Sequence, residues 1–126
     1  MPTVSFEDLQ VSQLAETLAD DVWSIVIAWD AFARDTVGKQ IVKAADSIGA
    51  NIAEGTGRGS YQDNRRFIRI ARGSLYETRH WLRRVQAKAL ERRTDKQAKI
   101  DHSGSFTEAE RVSSFNWRCF TKSQDQ

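Results

Sequence analysis

From Thr3 to Gln126 the chain contains no proline, its single Pro being Pro2. Proline removes a backbone donor and clashes with the preceding turn, so a run this long without it leaves helices free to extend. Glycine, the other breaker, concentrates in Gly55-Thr56-Gly57-Arg58-Gly59 and around Gly104, while Gly38, Gly49 and Gly73 stand alone inside helical patterns. Together these features predict an all-α protein with a turn near residue 58 and another near 104. At 126 residues the chain fits a single domain, 1–126.

Apolar residues at Val11, Leu14, Leu18, Val22, Ile25, Trp29 and Phe32 recur every three or four positions and predict helix one over about residues 9–33. A second stripe, Val37, Ile41, Ala44, Ala45, Ile48 and Ile52, predicts helix two over about 36–54. Beside it Gln40, Ser47, Asn51 and Glu54 line a polar strip expected to form a hydrogen-bonded interior seam, with Gly55 as the residue that ends the helix. Ser60 followed by Asp63 is a capping pattern that opens helix three, about 60–90. Its apolar face, Phe67, Ala71, Ser74, Thr78, Trp81 and Val85 flanked by Ile68, Leu75 and Leu82, is broad enough to require a bundle. Residues 91–105 are polar, and a weak helix four over about 106–120 would bury Val112, Phe115 and Cys119.

Trp23 and Ile27 fall well away from the main stripe of helix one and need a second buried contact. That contact is either a wide core face or a subunit interface, where tryptophan is enriched.

The formal charge is only +2, but it is unevenly placed. Residues 1–57 carry three bases and nine acids, net −6, and residues 58–100 carry thirteen bases and four acids, net +9. Such asymmetry points to an anionic partner. At 100° per residue Arg65, Arg69, Arg72, Tyr76, Arg79 and Arg83 share an arc of about 80° opposite the apolar face, in a stripe about 27 Å long, with Arg58 widening it. Like charges one turn apart repel by about 0.2–0.5 kcal/mol per pair, so the stripe opposes its own helix unless an anion faces it. Guanidinium forks suit phosphate oxygens and a tyrosine ring can stack on a base, so RNA or DNA is the leading expectation. The alternatives are a solvated face or ion pairs to acids such as Asp20, Asp21 and Asp30 of the same or a neighbouring protomer.

No nucleophile with a base, no metal-spaced carboxylates and no histidine cluster are present, so no catalytic residue, metal or cofactor is expected. Glu54 and Glu77 could meet across the hairpin, more plausibly as structural carboxylates than as a metal pair. The segment 55–60 is better suited to an interhelical turn than to a nucleotide loop, since it follows a helix and lacks the Gly-Lys-Ser/Thr ending. The lone Cys119 cannot form an intrachain disulfide, and the acidic N-terminus with no apolar stretch near ~20 residues predicts a cytoplasmic protein that does not enter membranes.

The run Ser47-Ile48-Gly49-Ala50-Asn51-Ile52-Ala53-Glu54-Gly55, followed by Arg58 and by Gly73-Ser74-Leu75-Tyr76-Glu77, closely resembles the proteins encoded in intervening sequences of bacterial 23S ribosomal RNA. With Phe6-Glu7-Asp8-Leu9 the match covers about residues 6–90, and it marks Gly73, Ser74 and Glu77 as motif residues. The resemblance implies an up-and-down antiparallel four-helix bundle assembled as a ring-like homopentamer. It also implies kinship to the accessory protein of diversity-generating retroelements, and hence nucleic acid or a reverse transcriptase as partner, without enzymatic activity. The chain departs from the family pattern after residue 90, where a longer apolar fourth helix is usual and helix four is here short or irregular.

Overall fold

The computed structural model describes residues 5–96. A 3-10 turn, Phe6–Asp8, leads into α1, Gln10–Ile27; a short α2, Ala31–Ala33, passes through a π-helical turn, Arg34–Gly38, into α3, Lys39–Gly57; and α4 spans Tyr61–Lys96. The described residues form helices and turns, with no strand among them. The expected fourth helix over 106–120 lies outside these residues.

Periodicity alone carries helix one to residue 33, but α1 ends at Ile27. Its last turn tightens, with the Ala28 N–H donating to the Ile25 carbonyl and the Trp29 N–H to the Val26 carbonyl at 3.0 Å. Asp30 then adopts an extended conformation and caps the next helix, its Oδ1 accepting from the Ala33 N–H at 2.9 Å. An aspartate is among the best residues for that role, because its side chain satisfies an otherwise orphaned donor. Phe32 therefore belongs to the second helix, where it is 80% exposed instead of continuing the core stripe. The second helix in turn begins near Ala31 and runs on to Gly57, longer at both ends than the expected 36–54.

Gly55 does not end α3; it is buried within the last turns. A Cβ there would lie 2.8 Å from the Phe67 Cβ and 2.9 Å from Asn64 Oδ1, so the missing side chain is what lets α3 and α4 approach. The left-handed residue of the turn is Gly59, with φ of 75°. Ser60 then caps α4, its Oγ accepting from the Asp63 N–H at 3.1 Å.

The core gathers Leu18, Val22 and Ile25 of α1, Ile41, Ile48 and Ile52 of α3, and Ala71 and Leu75 of α4. Each large aliphatic residue fully buried there contributes about 1.5–3 kcal/mol of transfer free energy. Helix α3 makes the main contacts with both neighbours, and its expected stripe residues are all buried, while Val37, in the π-helical turn before it, is half-buried. The polar strip beside it bonds along its own helix: Ser47 Oγ donates to the Lys43 carbonyl and Asn51 Nδ2 to the Ser47 carbonyl, both at 2.7 Å. For Ser47 and Asn51 the hydrogen bonds of this strip thus run within α3 and not to a neighbouring helix. At about 1.5 Å per residue, the 36 residues of α4 reach about 54 Å, roughly twice the span of α3.

Candidate nucleic-acid interface

Because α4 buries Ala71, Leu75 and Thr78 on one side, its opposite side is fixed outward. Arg65, Arg69, Arg72, Arg79 and Arg83 are all exposed there, and Tyr76, in the middle of the row, is 51% exposed. Among the described residues none of these five arginines has an ion-pair partner. The row is therefore a line of solvated guanidinium groups held by one rigid element.

Arg58 stands apart from that row. Its Nη2 lies 2.7 Å from Glu54 Oε1, and its Nε donates to the same oxygen at 3.0 Å. Its guanidinium also covers the Phe67 ring at 5.1 Å, with Arg66 at the same distance from that ring. The turn between α3 and α4 thus engages Arg58 before any ligand arrives. Each of the two carboxylates expected across the hairpin is engaged by the residue four positions on: Glu54 by Arg58, and Glu77, whose Oε1 accepts from the Trp81 indole N–H at 3.4 Å.

Further along α4, Tyr76, Arg79, His80, Arg83, Arg84 and Ala87 surround an open depression of about 560 Å³. His80 and Arg84 sit at the margins of the arginine arc by angle alone, and the structure gathers them with Tyr76 and Arg79. The signal was available in Ala87, which at 100° per residue falls inside the same arc and leaves a short side chain among long ones. The motif residues of α4 are differently placed. Ser74 uses its carbonyl to accept from the buried Thr78 hydroxyl at 2.8 Å, and a Cβ on Gly73 would meet nothing within 4 Å.

The other charged feature lies between α1 and α3. A groove of about 390 Å³ is floored by small residues such as Ala15, Gly49 and Ala53 and edged by Glu16, Asp20 and Asp46. Burial first, and the nearby Asp20 carboxylate second, push the Asp46 carboxyl above its ordinary value. On the same helix Trp23 and Ile27 remain 56% and 55% exposed.

Among the described residues no group of His, Cys, Asp or Glu is arranged to hold a metal ion, and no helix is long and apolar enough to cross a membrane. The described residues are thus helical throughout apart from their turns, with a basic face on one long helix. Residues 7–103 match the family described as 23S rRNA-intervening sequence protein, and the chain belongs to that family. No curated protein and no solved structure matches it.

Proposed function

We propose that the protein is a non-enzymatic, cytoplasmic helical bundle that binds RNA or DNA, mainly through phosphates, along the arginine face of α4. The observation that carries this reading is the row Arg65, Arg69, Arg72, Arg79 and Arg83, exposed and without ion-pair partners among the described residues. Their mutual repulsion costs stability that a polyanion would return. Copies associate through the exposed Trp23 and Ile27, with five subunits suggested by family resemblance.

Electrophoretic shift with RNA and DNA at two salt concentrations tests the binding. Affinity should fall steeply with salt, and the triple variant Arg69→Gln, Arg72→Gln, Arg79→Gln should flatten that dependence by about two to three units of log–log slope, similarly for unrelated sequences. Glutamine is a good helix former, so helicity should persist. Absence of any shift at low salt refutes the proposal.

A second reading is supported by the groove edged by Glu16, Asp20 and Asp46, which would accept the arginine face of a neighbouring copy or of a protein partner such as a reverse transcriptase. The same triple variant then separates into smaller species, measured by light scattering, with no nucleic-acid affinity to lose.

A further inference from the structure

We propose that the depression around Ala87 and Tyr76 is a stacking slot for an unpaired nucleobase, which makes single-stranded nucleic acid the preferred ligand of the arginine face. The inference rests on the phosphate-binding role of α4 and narrows its ligand.

A row of arginines alone grips any polyanion, paired or not. The rings of Tyr76 and His80 have no use on a duplex whose bases are already stacked, whereas an unpaired base offers a free face. Tyr76 is half exposed in the centre of the row, one turn from Arg72 on one side and from Arg79 on the other. His80 lies one turn further on, its ring meeting Trp81 edge-on with centroids 5.1 Å apart at 68°, while the Trp81 indole N–H donates to Glu77 at 3.4 Å. Ala87 leaves a hollow beyond the two rings, and Arg79, Arg83 and Arg84 surround it with guanidinium donors for the adjoining phosphates. The depression, about 560 Å³, is open to solvent, so a base can enter it from the side while its sugar and phosphate stay among the guanidinium groups. Aromatic walls, a small floor and three cations around one hollow are what a flipped or unpaired nucleotide requires.

The test compares a single-stranded oligonucleotide with a fully paired duplex of the same length, using the full chain and its Tyr76→Ala, Tyr76→Phe and His80→Ala variants. The expected result is tighter binding of the single strand by the unaltered protein. Tyr76→Ala should weaken that binding about tenfold, with Tyr76→Phe near the original, no comparable change for duplex, and an unchanged salt slope because no charge is removed. Quenching of 2-aminopurine placed in the single strand should accompany binding and shrink in Tyr76→Ala and His80→Ala. Tyr76 is exposed, so circular dichroism should show the variants as helical as the parent. Equal affinity for the two forms with Tyr76→Ala indistinguishable from the parent overturns the slot and leaves phosphate binding standing. No binding of either form at low salt overturns both.

Discussion

At Gly55 one absent methyl group sets how closely two helices pack. An alanine Cβ would come within 3.0 Å of both the Phe67 Cβ and Asn64 Oδ1, and within 3.2 Å of the Asn64 carbonyl, so α4 must shift to admit it. Gly55→Ala should cost about 1–3 kcal/mol in urea denaturation, as overpacking usually does. Gly73 is the control, since nothing lies within 4 Å of its would-be Cβ and it sits within a helix. Gly73→Ala should gain up to ~1 kcal/mol through reduced freedom of the unfolded chain. Both glycines belong to the family-like motifs, yet only Gly55 has a steric reason within this chain. Composition and spacing could not separate them, because the reason lies in the neighbour across the helix pair.

Between elements, the α1–α3 groove places the Asp46 carboxylate where burial works against its charge. Asp46 holds its proton to higher pH in the folded chain than in the unfolded one, with burial the larger cause and Asp20 the smaller. The folded form then binds more protons through this window, so the contribution of Asp46 to stability is full below its ordinary value of 3.8 and is lost as pH rises through the raised one. Asp46→Asn should consequently raise the melting temperature at neutral pH, leave it unchanged near pH 3, and flatten the pH profile between. The side chain keeps solvent on one side, so the gain should be modest. A melting temperature unchanged at neutral pH would show that the two carboxylates are fully screened. The helices were largely legible beforehand: the stripe Ile41, Ala44, Ala45, Ile48 and Ile52 is buried as its spacing predicts. The break between α1 and α2 was not, because Trp29 and Phe32 extend the three-four rhythm across it and Asp30 carries neither proline nor glycine as a mark.

For the whole molecule, charge divides along the chain: residues 1–57 are net −6 and residues 58–100, which include α4, are net +9. Trp23 and Ile27, each more than half exposed on α1, leave apolar surface of the kind that subunit interfaces cover. Light scattering should give a multiple of 14.3 kDa at micromolar concentration, and Trp23→Glu with Ile27→Glu should reduce the mass while preserving helicity. A parent mass near one chain would refute self-association.

What the sequence determined by itself was whatever depends on residues sharing one helix. Periodicity fixed which face of α4 is apolar, and the same 100° step placed Arg65, Arg69, Arg72, Tyr76, Arg79 and Arg83 together on the far side, where all are exposed. The tertiary structure alone decided what depends on a second element or on the freedom of a side chain. Arg58 turned to Glu54 and Phe67 instead of joining the row; Gly55 became a packing contact instead of a helix end; and Asp20 met Asp46 across the α1–α3 groove. A helix repeats at a fixed angle that can be counted along the chain, whereas the distance between two helices is set by side chains meeting from both, which no single stretch of sequence contains.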